Sequence, residues 1–137
     1  KDNLMPYGLM GHMHEREMSR HLGTGVRFSP HVAAFFRGIT VTAQMEFAEP
    51  VSPEALRNAY EGAYAGEALV ALQDAIPEIR NGAFNPGAVL GGFAVSGDGC
   101  RAVLVCALDN LLKGAATQAV QNLALALDLP ELNGLFP

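Results

Sequence analysis

Two apolar runs, Ala88–Ser96 and Arg101–Leu108, meet across Gly97-Asp98-Gly99, and no other feature restricts the fold of this chain as strongly. Runs of this length, rich in Val, Leu and small apolar residues, read as strands, and a Gly-Asp-Gly junction is the composition of a hairpin turn. The pair therefore predicts an antiparallel ladder. Asp109, directly behind the second run, caps a helix that extends to about Leu127 and is closed off by Pro130. The same stretch contains a literal Gly-x-Gly-x-x-Ala at Gly97, Gly99 and Ala102. A dinucleotide fingerprint needs a helix after its glycines, whose amides meet the pyrophosphate. Arg101-Ala102-Val103-Leu104-Val105 reads as a strand instead, so the hairpin is the better reading.

The rest of the chain is organised around that hairpin. Lys1–Gly11 is irregular, punctuated by Pro6, Gly8 and Gly11, while Met13–Leu22 is helix-permissive and stops at Gly23. Val26–Phe28 and Phe35–Phe47 read as strands. In the second, Ile39, Val41, Ala43, Met45 and Phe47 alternate with Thr40, Thr42, Gln44 and Glu46, which predicts one buried and one polar face. Ser52-Pro53-Glu54 opens a helix, with Ser52 as N-cap and Pro53 in the first position, that runs to about Tyr64. Leu69–Leu72 reads as a short strand and Pro77–Gly87 as a loop. The order helix, strands, helix, strands, helix argues an α+β fold, a largely antiparallel mixed sheet with flanking helices. With 137 residues, 50% of them hydrophobic, the chain has the length and core of one ordinary globular domain. It is too short for a complete two-domain nicotinamide oxidoreductase.

Nine Lys and Arg against fourteen Asp and Glu give a formal net charge of −5, with no basic run, which argues against nucleic acid as a partner. The longest apolar stretches, around Val32–Phe36 and Ala102–Leu108, fall far short of the roughly 20 residues that cross a bilayer, and no signal peptide is visible. Cys100 and Cys106 have no metal-type spacing and form no disulfide framework, which fits a reducing compartment, cytoplasmic or organelle-matrix. A start at Lys1 rather than Met leads us to expect further sequence upstream.

Three stretches carry possible chemistry. In Gly11-His12-Met13-His14-Glu15-Arg16-Glu17, His12, His14 and Glu17 could bind a metal, Glu15 and Glu17 could simply face the positive end of a helix dipole, or one imidazole could act as a general acid or base. A cupin-like metal site would need a longer gap before its Glu and a further downstream His, so no metal is expected. Arg37 interrupts the run Val32–Phe36 and must reach solvent, a carboxylate or an anionic ligand. In Asp109–Asn122, Gly114, Ala115 and Ala116 let another backbone or a flat ligand come close, or serve tight packing. There Leu112, Ala116, Ala119, Val120, Leu123 and Leu127 form the expected apolar stripe, and Lys113, Thr117 and Gln121 the polar face. Neither cysteine is a good nucleophile: Cys106 lies in an apolar strand, and Cys100 beside a turn with Arg101 as its close cation.

At these residues the chain resembles the C-terminal part of N-acetyl-γ-glutamyl-phosphate reductases. The family's His-x-His-x-x-Glu is similar to His12, His14 and Glu17, preceded by Pro6-Tyr7 and Gly11, and its aromatic-Thr-Pro leading to Arg-Gly-Ile is similar to Phe28-Ser29-Pro30 and Arg37-Gly38-Ile39. Its Asp-Asn-Leu-x-Lys-Gly-Ala-x-x-Gln-Ala-Val-Gln-Asn resembles Asp109–Asn122 almost letter for letter, followed by Gly134-Leu135. The three matches are colinear and span Pro6 to Leu135.

The resemblance implies a reductive dephosphorylation in arginine biosynthesis. A cysteine attacks an acyl phosphate, phosphate leaves, and the thioacyl group takes a hydride from NADPH to give the semialdehyde. It implies that His12 is the acid/base partner of the cysteine, that His14 and Glu17 orient it or hold polar groups of the substrate, and that Arg37 contacts an anion. Asn110, Lys113 and Gly114 would lie beside the nicotinamide of NADP. The implied fold is that of the C-terminal domain of glyceraldehyde-3-phosphate and aspartate-semialdehyde dehydrogenases. Residues 1–108 would bind substrate and join subunits of a dimer or tetramer, and residues 109–137 would return to a nucleotide-binding domain. This chain departs from the family's pattern in several places. The family's catalytic cysteine and Gly-rich loop lie upstream, with no counterpart here. Gly91-Gly92-Phe93 stands for the usual Gly-Ser-Asn, and Arg16-Glu17-Met18 for Pro-Glu-Ile. A relative acting on carrier-linked aminoadipyl phosphate in lysine biosynthesis and a non-catalytic, partner-binding domain remain as alternatives.

Overall fold

A computed structural model describes residues 2–136. The chain separates into two compact units, Lys1–Phe36 and Arg37–Pro137, each with its own sheet. In the first, strand β1 (Leu4–Pro6) pairs antiparallel with β2 (His31–Ala33), Leu4 opposite Ala33, and helix α1 (Met13–Leu22) lies between them in sequence. The helix has the predicted bounds, and Gly23 ends it in the left-handed region at φ 65°. Two expectations are corrected. Lys1–Gly11 is not wholly irregular, since it contains β1. Val26–Phe28 is not a strand, because its amides are spent on side chains of α1: Val26 N–H donates to Ser19 Oγ (2.9 Å) and Phe28 N–H to Glu15 Oε2 (3.1 Å).

The second unit is built on a four-stranded sheet. Strand β3 (Ile39–Glu46) is followed by α2 (Pro53–Ala63), β4 (Val70–Leu72), the short α3 (Ile79–Gly82), β5 (Ala88–Val95) and β6 (Arg101–Leu108), with spatial order β3-β6-β5-β4. β3–β6 and β5–β6 are antiparallel and β4–β5 is parallel, as expected for a largely antiparallel mixed sheet. The hairpin forms where the sequence places it. Gly99 N–H donates to Ser96 O (2.9 Å), Gly99 takes φ 75°, and a strand follows, so Gly97-x-Gly99-x-x-Ala102 is a turn and not a phosphate loop. Ser52 caps α2 through Ala55 N–H at 3.0 Å, with Pro53 in its first turn. The loop expected over Pro77–Gly87 holds α3, opened by Glu78 N–H donating to Asn81 Oδ1 at 2.7 Å.

The core of this unit gathers Ala88, Leu90 and Leu104, with Ala43, Met45, Tyr60, Val70, Leu72, Phe93, Cys106 and Leu108 packed against them. The alternation in β3 is half fulfilled. Ala43 and Met45 pack on the core, but Ile39 and Val41 remain 41% and 44% exposed, and Ile39 rather than Phe35 begins the strand. Gly38, at φ 101°, gives its N–H to Asn110 Oδ1 and not to a neighbouring strand. The ladder of β5 shifts register between Gly91 and Ala94. A Cβ on Gly91 would meet the backbone oxygens of Ala75 and Gln73, so glycine is needed there for the close approach of the preceding loop.

Behind β6 comes a π-helical turn, Leu112–Ala116, and then α4, Thr117–Ala126. The expected apolar stripe is inverted. Thr117, Gln121 and Ala124 are buried, while Leu123 and Leu127 are 59% and 60% exposed. The reason is a polar chain that closes over the inner face: Lys113 Nζ donates to Gln121 Oε1 and Gln121 Nε2 to Glu131 Oε1, both at 2.6 Å, while Leu129 N–H returns to Ala124 O. A buried glutamine with both ends of its amide paired costs little to bury. Among the described residues no helix is long and apolar enough to cross a membrane.

Candidate functional site

In the first unit the candidate residues collect at the start of α1. His12 is the N-cap, with φ −58° and ψ 141°, and its Nδ1 accepts the backbone N–H of His14 at 3.2 Å. Around its ring lie His14 (centroids 4.8 Å apart), Phe28 (5.2 Å) and Tyr7 (5.8 Å, edge-on). The backbone of Gly8 closes one edge: a Cβ there would come 2.9 Å from His12 Cδ2. Tyr7 N–H donates to Pro30 O (3.1 Å), and Phe28 is tied to Glu15, so the aromatic wall is fastened at both of its chain segments. Glu15, not Glu17, is the carboxylate with a structural bond. Glu17 is exposed on α1.

In the second unit the candidates collect around Asp109, which is fully buried. Its Oδ1 accepts Leu111 N–H (2.8 Å) and Leu112 N–H (2.9 Å), and its Oδ2 accepts Phe84 N–H (2.7 Å). Arg37 Nε lies 2.9 Å from Oδ2, though its N–H makes no hydrogen bond, so that contact is one of charge. Desolvation pushes the Asp109 pKa up, but the three amides and then the guanidinium together hold it below the ordinary carboxylate value. The Arg37 guanidinium also stands 4.5 Å over the ring of Phe84, which is 73% exposed and takes φ 62°. The turn behind Asp109 is of the i to i−5 type, with Gly114 N–H on Asp109 O (2.9 Å) and Ala116 N–H on Leu111 O (3.1 Å). A Cβ on Gly114 would lie 3.3 Å from the Asp109 carbonyl oxygen, so what approaches this glycine is its own backbone.

The structure thus brings His12 and His14 together, and gathers Arg37, Asn110 and Gly114 around Asp109. Of the three destinations expected for Arg37, the structure displays the carboxylate, Asp109. Asn110 Oδ1 holds Gly38, and Lys113 is bound to Gln121. Asp109 was legible only as a helix cap; its partners Phe84 and Arg37 lie 25 and 72 residues away along the chain, with no local signal. The roles of Tyr7 and Glu15 likewise appear only in three dimensions. Cys106 is half-buried, which pushes its pKa up, and Cys100 Sγ lies 3.6 Å from Asp98 O. Among the described residues no three His, Cys, Asp or Glu side chains gather as a metal site.

The fold is similar to that of aspartate semialdehyde dehydrogenase II from Vibrio cholerae, with a TM-score of 0.75 over 93% of this chain and 42% of that one, at 19% identity. The complex of that enzyme with ASA matches at a TM-score of 0.73. In sequence, the chain is 48% identical over 134 residues to N-acetyl-γ-glutamyl-phosphate reductase of Stenotrophomonas maltophilia, covering 98% of this chain and 42% of the relative. It is 45% identical to the mitochondrial protein arg11 of Schizosaccharomyces pombe, covering 98% of this chain and 15% of that protein. The chain therefore spans less than half the length of these curated relatives. The family model described as semialdehyde dehydrogenase, dimerisation domain, matches residues 1–110, which include both strand systems and the histidine pair. With a family model matched over most of its length, the chain belongs to the semialdehyde dehydrogenase dimerisation-domain family.

Proposed function

We propose that this chain is the acid/base and subunit-joining part of an NADP-dependent N-acetyl-γ-glutamyl-phosphate reductase, which converts an acyl phosphate to N-acetylglutamate semialdehyde in arginine biosynthesis. The observation that carries this reading is His12, a half-buried imidazole whose Nδ1 is engaged, which sits in an aromatic surround and which the sequence resemblance pairs with the family's histidine. Thioacyl chemistry needs a nucleophilic thiolate and a histidine beside the reacting carbonyl. Burial pushes the Cys106 thiol up, and Cys100 backs onto a hairpin turn, so neither suits the thiolate role. We assign the nucleophile and the nucleotide site to the remainder of the intact protein. The described residues offer no phosphate loop for a dinucleotide, since Gly97-x-Gly99 leads into a strand and not into a helix whose amides could meet a pyrophosphate.

His14 and Glu17, both exposed, are assigned to polar groups of the substrate. Arg37 is the assigned anion contact, with Asp109 fixing its position. Asn110, Lys113 and Gly114 are assigned to the wall beside the nicotinamide, where the Asn110 side-chain NH2 and the ammonium N–H groups of Lys113 not spent on Gln121 can donate. Residues 1–108 would bind substrate and join copies of the chain into a homo-oligomer. Residues 109–137, with Leu123, Leu125 and Leu127 exposed, would return to the nucleotide-binding part. The two free thiols fit a cytoplasmic or organelle-matrix location.

Phosphate- and NADP-dependent oxidation of N-acetylglutamate semialdehyde by the intact protein tests the reading. We expect turnover that falls about 100-fold or more in His12→Ala, and none from the 137-residue chain alone. Full activity of His12→Ala, or turnover by the isolated chain, would overturn it.

A further inference from the structure

Three Asn or Asp side chains are followed directly by glycine: Asn81-Gly82, Asp98-Gly99 and Asn133-Gly134. Such a pair carries a reaction of its own. The glycine nitrogen can attack the carbonyl carbon of the preceding side chain and close a five-membered ring, because glycine has no Cβ to obstruct the approach and turns freely about its backbone. The folded chain decides which pair can take that step, since the nitrogen must be unoccupied and both groups must have room to swing toward each other.

In two of the pairs the reacting groups are held. Gly99 N–H donates to Ser96 O at 2.9 Å, and Asp98 Oδ1 accepts the Cys100 N–H at 3.1 Å together with the Ser96 hydroxyl. Those bonds, the hydroxyl first, keep the Asp98 carboxyl below its ordinary pKa, and a carboxylate is a poor acyl donor. Asn81 Oδ1 accepts the Glu78 N–H at 2.7 Å. Gly82 behind it is buried, and a Cβ there would lie 2.5 Å from the Leu108 nitrogen, so its backbone has no room to move.

Asn133-Gly134 differs on each count. Both residues are exposed, and among the described residues neither the Asn133 side-chain amide nor the Gly134 N–H has a hydrogen-bond partner. The pair forms the middle of a turn closed by Leu135 N–H on Leu132 O at 3.1 Å, with Gly134 at φ 80°. A Cβ on Gly134 would find its nearest neighbour, Val120 Cγ1, 4.0 Å away.

We propose that Asn133 is a self-modifying site, at which the Gly134 nitrogen displaces ammonia from the Asn133 side chain and water opens the resulting succinimide. In the first step the bond from the Gly134 nitrogen to Asn133 Cγ forms, the bond from Cγ to the side-chain nitrogen breaks, and that nitrogen leaves as ammonia with the proton lost by Gly134. In the second, water adds to one of the two ring carbonyls. Opening at the side-chain carbonyl gives aspartate, and opening at the backbone carbonyl gives isoaspartate, whose main chain runs through Cβ and Cγ. Water is the one co-reactant, and nothing is oxidised or reduced. Either product places a new negative charge two residues from Glu131, the carboxylate that holds Gln121, and isoaspartate also lengthens the turn by one carbon. The step is independent of any reductase activity.

Incubation of the intact, folded protein in mildly alkaline buffer, followed by tryptic digestion and mass spectrometry, tests the proposal. Cleavage behind Arg80 and Arg101 releases one peptide with the first two pairs, and cleavage behind Lys113 releases Asn133 on a peptide shared with Asn122, so fragment ions assign each site. The expected result is an amide-to-acid change at Asn133 about tenfold or more faster than at Asn81, with methyl transfer from S-adenosylmethionine by an isoaspartyl methyltransferase marking the isoaspartate. In urea, where both glycines are free, the two rates are expected to converge. Gly134→Ala is expected to slow the change at Asn133 about tenfold or more by obstructing ring closure. An unmodified Asn133, or equal rates at Asn81 and Asn133 in the folded protein, overturns the site. A rate at Asn133 that Gly134→Ala leaves unchanged overturns the ring step, because water would then be attacking the amide directly.

Discussion

His12 and Asp109 both begin a helical segment with a side chain that accepts backbone amides, yet they are built for different ends. Asp109 is buried, receives three N–H groups and faces a guanidinium, so both of its oxygens and its charge are engaged. His12 receives one amide, is half-exposed, and keeps one ring nitrogen without a partner among the described residues. A saturated, desolvated cap has no capacity left for a ligand and fixes the chain around it. A cap with a spare polar atom at the surface has fixed geometry and free chemistry, the combination that a reacting group requires. The same contrast separates Glu15, bound to Phe28 N–H, from Glu17, which is exposed.

Removing the fully engaged cap should have the largest effect. Asp109→Ala strands the amides of Phe84, Leu111 and Leu112 and leaves the Arg37 charge, 17% exposed, without its counter-ion. A fall in Tm of roughly 10 °C or more is expected by calorimetry, the largest effect of any single substitution named here. Its pH dependence has a definite sense. Because the folded pKa of Asp109 lies below the unfolded value of about 3.9, its stabilising contribution is complete above that value and is lost as the pH falls through the folded pKa. The stability difference between wild type and Asp109→Asn is therefore expected to stay constant from neutral pH down to about 4 and to shrink only below it. A difference that shrinks at higher pH would contradict the pairing.

Smaller effects are expected where the cap is open. Gly8→Ala puts a side chain at φ 53° and a carbon 2.9 Å from the His12 ring. It should cost the first unit about 1–2 kcal/mol, read as faster hydrogen exchange of the α1 amides. Glu15→Ala frees the Phe28 N–H and is expected to cost about 1 kcal/mol, with faster exchange at that amide and little change in α1. If Glu15→Ala proves more damaging than Asp109→Ala, the distinction between a structural and an open cluster fails.

Much of the fold was legible because its signals are local. Ser52-Pro53 at a helix start, Gly23 at a helix end and Gly97-Asp98-Gly99 in a hairpin each act within a few residues, so reading them needed no partner elsewhere. Local signals mislead where a segment's amides go to distant or side-chain acceptors. Val26 and Phe28 have the composition of a strand, but Ser19 and Glu15 take their N–H groups. In α4 the leucine spacing suggested an inward stripe, and the Lys113–Gln121–Glu131 chain turned the other face inward. Of the candidate site, His12 and His14 were visible as a pair of neighbours, whereas the bond that orients His12 depends on its being a cap.

The α+β order of elements, the hairpin that organises the sheet, and the three motifs by which the chain resembles its family are written into the order of its residues. Those features depend on periodicity, turn chemistry and residue identity, all of which act along the chain. It took the folded chain to pair Arg37 with Asp109, to engage Asn110 and Lys113 with Gly38 and Gln121, and to set His14 N–H on Nδ1 of His12. Each of those outcomes depends on which donors and acceptors meet once the chain has folded, because a polar group removed from water takes the partner that geometry places within reach.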